Sequence, residues 1–469
     1  MGKDLDTVPL APRHLPLLGH TVALLRDRLG FIASLPRHGD LVRLRLGPHT
    51  MVLVCGPDLV QEALRDDRTF DKGGPFFDRA REAVGNGLAT CPHGRHRRQR
   101  RLCQPAFRPA RLPDYAAAVT SAAYETTAAW TDGEVVDVNR AMLAVTNRAL
   151  ATTMFSSRLP DATTRQIGED AETIMSGAMR RMFVPAPLDR APTPGNLRFQ
   201  RARARLRQTV ADVIASHRAD GGDRRDLLSA LLSAEEPDDR EEDGPGALSD
   251  GEIADQVVTF FIAGTETTAG LLSWVLYELA RHPDIQDRLH AHVTQVLAGR
   301  PPRAADVPEL TYLTQVITEA LRLHAITWLV TRTVTEDTTL GGTRLPAGTT
   351  LALSQYAVHW NPRIHPRPRD FDPDRWTEQP PERASFIPFG SGPRRCIGDR
   401  FALQEATIIL ALLIRSWKFT ALTDRPAKTV LSAACIPRDL RLRLEARPAP
   451  GNNDGHTLGR PAPSNTPGP

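Results

Sequence analysis

Lysine is nearly absent from this chain of 469 residues: positions 3, 72, 418 and 428 hold all of it, and arginine supplies the rest of the 59 basic side chains. Fifty-five acids oppose them, so the formal charge is only +4 and the overall balance gives no nucleic-acid footprint. Cysteine is scarce and scattered, at positions 55, 91, 103, 396 and 435. With no CxxC pair and no dense framework, a disulfide scaffold is excluded, and the expectation is free thiols in a reducing cytoplasm. Long uncharged apolar runs are missing too. The proline-broken N-terminus has no core of signal-peptide length. The one stretch of membrane-spanning length, Val257–Leu276, carries Glu266 and three threonines near its middle, so it reads as a buried core helix.

What is present is helical. Apolar periodicity predicts helices at Pro57–Asp66, Ala116–Trp130, Phe199–His217, Glu252–Arg281, Asp284–Leu297, Leu313–Leu323 and Asp399–Trp417. "LVRLRLG" and "TMVLVCG", Leu41–Gly56, alternate like a hairpin turning at Gly47-Pro48, and Gly341–Ser354 gives a second β signal. Three segments punctuate the chain: a proline-rich connector at Pro185–Asn196, an acidic loop at Glu235–Gly246, and a tail from Pro448 too poor in apolar residues to fold. None separates two self-sufficient halves. The expectation is one mainly α domain with small β-sheets over residues 1–447, and a disordered tail over 448–469.

One cysteine stands apart. In "FIPFGSGPRRCIGDRF", Phe386–Phe401, Cys396 follows Arg394 and Arg395 and precedes a helical pattern starting near Gly398. Positive charge and the unpaired N–H groups of a helix start favour a thiolate. Gly390 and Gly392 permit a tight turn, and Gly398 permits close approach of a flat partner. The other four cysteines read as packing residues. Upstream, "EALR" sets Glu319 and Arg322 on one helix face, and "FDPDRW" offers Arg375. "AGTETT", Ala263–Thr268, puts a glycine, an acid and adjacent hydroxyls mid-helix, where they weaken a helix and are costly to bury. A threonine bonding back to the carbonyl one turn earlier is the plainer account of them.

Together these motifs resemble the cytochromes P450, over roughly Pro9 to Glu445. The phenylalanine, glycine, arginine, cysteine and glycine of their haem loop fall at Phe389, Gly392, Arg394, Cys396 and Gly398. The overall pattern, including "LPLLGH", "FDKGGP" and "HRRQRRLCQPAF", is most similar to actinobacterial terpene oxygenases. The resemblance implies the P450 fold, with haem b between the long central helix and the cysteine loop. Cys396 would be the axial ligand of the iron, Phe389 would pack beside the sulfur, and Arg394 and Arg332 would reach haem propionates. Within "HGRHRRQRR", His93–Arg101, His96 and Arg100 would point inward to propionates. Arg97, Arg98 and Arg101 would point outward to an electron donor. A nucleic-acid role for this run has no aromatic interleaving or recognisable module behind it. Glu319, Arg322 and Arg375 would clamp the core. Ala263 and Gly264 would leave room for dioxygen, Thr267 would hydrogen-bond it, and Glu266 would relay protons.

Pocket candidates are Phe76, Phe77, Met179, Met182, Phe183, Phe260, Ile326, Trp328 and Ile436, nearly all apolar. Many relatives carry prolines where this chain has His324-Ala325-Ile326, so the path beside the haem is open. The implied function is a cytoplasmic, monomeric monooxygenase on a small apolar natural product, a terpenoid or polyketide. Its electrons would come ultimately from NAD(P)H through a separate ferredoxin or flavodoxin-like donor and its reductase. The rivals are a peroxide-driven fatty-acid hydroxylase of the same fold and a haem-containing sensor without turnover.

Overall fold

A computed structural model describes residues 3–47, 49–156, 159–181, 191–220, 225–235, 246–378, 382, 384–431 and 434–448. Half of the proline-rich connector, nearly all of the acidic loop and the tail beyond 448 lie outside the described residues. So do Met182 and Phe183 and the side chains of Phe76 and Met179.

The axis of the fold is the helix Asp250–Arg281. Its 32 residues span about 48 Å at the standard rise. A capping box starts it: Ser249 Oγ accepts from the Glu252 N–H at 3.3 Å, and the Glu252 carboxylate accepts from the Ser249 N–H at 3.0 Å. Pro283 follows immediately and opens the next helix, Pro283–Leu297. Around the axis pack Val138–Phe155, Pro194–Asp220, Thr311–His324 and Asp399–Ser416. Every residue from Thr268 to Leu276 is buried, which is why this stretch is apolar on all sides. Among the described residues no helix is long and apolar enough to cross a membrane.

The periodic helices appear within a few residues of their expected ends; Ala116–Trp130 is shifted to Leu112–Thr127, and Phe199–His217 extends to Pro194–Asp220. The helix Val138–Phe155 had not been singled out, because its apolar positions are diluted by threonine and alanine rather than striped. The expected hairpin forms with Leu41 opposite Val54 and Leu46 opposite His49. Its second strand also pairs in parallel with Thr350–Leu353, so Val52, Leu53 and Val54 are all buried. That strand pairs in turn with Val330–Val334, which brings the segment after the Glu319 helix alongside the sheet.

Candidate haem-thiolate site

Glu319 and Arg322 lie on one face of Thr311–His324 and are wholly buried. Arg322 donates to the carboxylate from Nε at 2.9 Å and Nη2 at 2.8 Å. Its remaining donors reach the carbonyls of His359, Pro368 and Asp370. Glu319 also accepts from Trp376 Nε1 at 3.0 Å, the Asp372 N–H at 3.1 Å and Arg375 Nε at 3.4 Å. One carboxylate therefore ties a helix to the loop that leads towards the cysteine.

In the cysteine loop, Gly390 and Gly392 have φ of +70° and +69°. A Cβ at Gly392 would sit 2.2 Å from the Leu64 carbonyl oxygen, so no other residue fits there. The turn closes with the Cys396 N–H donating to the Phe389 carbonyl at 2.9 Å. Gly398 is the N-cap of Asp399–Ser416, placing the helix start beside the sulfur. The thiol is surrounded by protein yet reachable by water, so it borders a void within the fold. Burial raises its pKa, while the Gly398 N–H, Arg100 and Arg395 favour the anion and Asp399 opposes it.

Ala263 shows the same contrast on the long helix: it is exposed while Phe261, Ile262 and Thr265 are buried. Thr267, one turn on and partly buried, donates its hydroxyl to the Ala263 carbonyl at 2.6 Å, the plainer behaviour anticipated for this stretch. Glu266 is also partly buried. Gly264 corrects an expectation, because a Cβ there would meet Leu150 Cδ2 at 2.9 Å rather than open space. Its missing side chain lets Val138–Phe155 approach.

A buried cluster of cations lies near Arg394. Arg394 donates to Asp67 at 2.7 Å, Asp71 at 2.8 Å and the Cys91 carbonyl at 2.7 Å. That uses three of its five N–H bonds on protein acceptors, the aspartates included, where only a propionate had been expected. Arg332 is 4% exposed; among the described residues its guanidinium makes one hydrogen bond, to the neighbouring Thr331 carbonyl, and its Nε has no partner. Lys72 reaches the Ala89 carbonyl at 2.7 Å. Burial, then Arg332 and Arg394, lower its pKa to about 7. Burial, then Arg394 and Lys72, lower His96 to about 3, leaving that imidazole neutral. Arg332 falls to about 10 through burial and Arg394. Two arginines and a lysine poised to gain its proton, set against two aspartates, suit an incoming anion.

The cytochrome P450 family model matches residues 9–440. The chain belongs to the cytochrome P450 family. It is 43% identical to the pentalenene oxygenase of Streptomyces avermitilis, over 93% of this chain and 97% of that protein. It is 44% identical to the cyclooctat-9-en-7-ol 5-monooxygenase of Streptomyces melanosporofaciens, over 88% and 89%. Against cyclooctatin synthase of the same organism the identity is 45%, over 87% and 89%. This P450 is thus a monooxygenase whose cofactor is haem b, with electrons drawn from NAD(P)H through redox partner proteins.

The residues present fit that cofactor. A thiol facing an internal void could ligate iron, and the unpaired Arg332 Nε with Lys72 and His96 could receive two propionates. Lys72 went unnoticed in the sequence reading, although as one of four lysines it was a signal in "FDKGGP". Arg100 does not join this cluster: it donates to the Arg395 carbonyl and to Gln104, beside the thiol. Of the three arginines expected to face outward, only Arg97 is exposed. Arg98 is bound to Glu252 at 2.9 Å and the Ala247 carbonyl at 2.7 Å, and Arg101 is partly buried. The ion pair with Glu252, in the first turn of the long helix, consumes Arg98.

Among pocket candidates, Ile326 and Ile436 converge: a Cβ on Gly270 would lie 2.9 Å from Ile436 Cγ2 and 3.9 Å from Ile326 Cγ2. Phe260 packs in the core, edge-on to Phe107 with ring centres 5.1 Å apart; Ile326 is a core residue too, with Ile436 packed against the same cluster. Phe77 is buried below Lys72, and Trp328 is capped by the Arg28 guanidinium at 5.7 Å.

Proposed function

We propose that this P450 hydroxylates a terpenoid, inserting one oxygen atom from O2 at a C–H bond of a compact, largely apolar skeleton. The observation that carries the reading is the meeting of Ile326 and Ile436 at Gly270, one helical turn beyond Thr267. An apolar wall at that distance from the oxygen-handling residues suits a hydrocarbon held without charged contacts. The names of its Streptomyces relatives, acting on pentalenene and cyclooctat-9-en-7-ol, agree with that class.

In this reading Cys396 ligates the iron, and Phe389 packs beside it. Haem, when bound, supplies the reductive activation of dioxygen. Arg332, Lys72, His96 and Arg394 hold the propionates. Thr267 keeps its proton on the Ala263 carbonyl, leaving its oxygen able to accept, and a rotation of the hydroxyl would offer that proton to the oxygen site. Glu266 passes protons inward to it. A ferredoxin or flavodoxin-like donor delivers electrons at the exposed Arg97 and Arg395. The chain acts as a cytoplasmic monomer, with residues 1–447 as one domain.

The test is turnover of pentalenene and cyclooctat-9-en-7-ol under 18O2 with a ferredoxin and its reductase. One labelled oxygen per product and dependence on NAD(P)H are expected. Turnover of fatty acids with peroxide, and none of terpenoids, would replace this reading with the peroxide-driven one.

A further inference from the structure

Resting on the pocket reading above, we propose that His324 is a positioning residue that fixes the apolar wall of the substrate pocket through Trp274 and Glu278. The lost prolines after the Glu319 helix are its context. The helix ends at His324, and Ala325 adopts the left-handed conformation, φ +40°, with its N–H on the Leu321 carbonyl. His324 then lies flat on Trp274, ring centres 3.8 Å apart and planes 8° from parallel. Its Nε2 is 2.8 Å from Glu278 Oε1, one turn further along the long helix.

The second half of the device belongs to Trp274. Its indole N–H donates to the Cys435 carbonyl at 2.9 Å, and the Cys435 N–H donates to the Ile326 carbonyl at 2.8 Å. Three chain segments distant in sequence are thus closed into one loop of contacts: Trp274 to His324, His324 through Ala325 to Ile326, Ile326 to Cys435, and Cys435 back to Trp274. Its two apolar ends, Ile326 and Ile436, face Gly270 on the same helix. Trp274 is 3% exposed and Glu278 6%, so no water substitutes easily for these contacts. A proline bend would constrain the backbone by itself; here a side-chain stack across to the long helix does so. The wall's position then depends on His324 and Trp274, which act on it through protein contacts.

The experiment compares imidazole with 4-phenylimidazole in the haem-loaded protein by optical titration, and follows Cys435 amide exchange in the haem-free protein. Imidazole senses only the iron; the phenyl ring also senses the wall. His324→Ala should weaken 4-phenylimidazole relative to imidazole about fivefold, the scale of one aromatic contact, and speed Cys435 exchange at least about tenfold. Glu278→Gln, which keeps the acceptor, should stay within about twofold of the parent. His324→Phe, which restores the stack, should recover most of the exchange protection even if His324→Ala fails to fold. Gly270→Ala, pressing on Ile436, should move the azole ratio without changing Cys435 exchange. An unchanged azole ratio in both His324→Ala and Gly270→Ala, or unchanged Cys435 exchange in His324→Ala, overturns the proposal. No spectral response to imidazole in the parent would instead overturn the haem-site reading on which it rests.

Discussion

Removing the Glu319 carboxylate should destabilise this P450 more than any comparable surface change. In Glu319→Ala, Arg322 keeps its charge at 0% exposure and loses its ionic partner with both hydrogen bonds to it, retaining three carbonyls. Stranding a buried charge in this way costs about 3–5 kcal/mol. Trp376 Nε1 and the Asp372 N–H are orphaned together with it, so the upper part of that range is expected. Arg322→Leu should cost a similar amount, because Glu319 would then be the stranded charge, with Arg375 at 3.4 Å as its remaining cation. The double variant Glu319→Ala/Arg322→Leu buries no charge. It should therefore be less destabilised than the two single costs added, by about 2–3 kcal/mol of coupling. Urea denaturation of the haem-free proteins at pH 7, followed by far-ultraviolet circular dichroism, measures all three. A loss below about 1 kcal/mol in Glu319→Ala, or strict additivity in the cycle, would refute the reasoning that this carboxylate anchors a dry network.

Five further outcomes are expected. Cys396→Ser should abolish the thiolate-type spectrum of the reduced carbon monoxide complex, and an unaltered spectrum removes Cys396 as the ligand. Glu405, wholly buried and hydrogen-bonded by Thr268, has its pKa raised by burial to about 8. The folded state thus holds a proton that the unfolded chain releases near pH 4.5. Stability contributed by this group should be full below that pH and decline up to about pH 8. Glu405→Gln should flatten that slope in denaturation profiles; a retained slope assigns it elsewhere. Lys72→Met should speed haem transfer to apomyoglobin about tenfold, one cation fewer for the propionates, and an unaltered rate takes Lys72 out of the site. Arg97→Glu should slow reduction by a ferredoxin at low salt and converge with the parent at high salt. Arg98→Glu should instead lower stability, since Arg98 is spent on Glu252.

Much of this was legible in order along the chain. The cysteine loop, the long helix, the Leu41–Gly56 hairpin and the Glu319–Arg322 pair are local patterns. They depend on φ at Gly390 and Gly392, on apolar periodicity, on strand alternation, and on i, i+3 spacing. Local geometry is written in residues close in sequence, so it survives reading without coordinates. The family's chemistry follows from the same short motifs.

What only the tertiary structure decided is which neighbour each side chain meets. Phe260 and Ala263 share the long helix, yet one packs on Phe107 and the other borders a void, because different partners cover different faces. Gly264 answers to Leu150, Arg98 to Glu252, and Lys72 to arginines 260 and 322 residues away. His324 acquires Trp274 and Glu278 from a helix some 50 residues earlier, and Trp274 in turn bonds Cys435, 161 residues further along. Contacts of that separation are set by how helices cross and which surface is left to fill, and no periodicity in the chain encodes them.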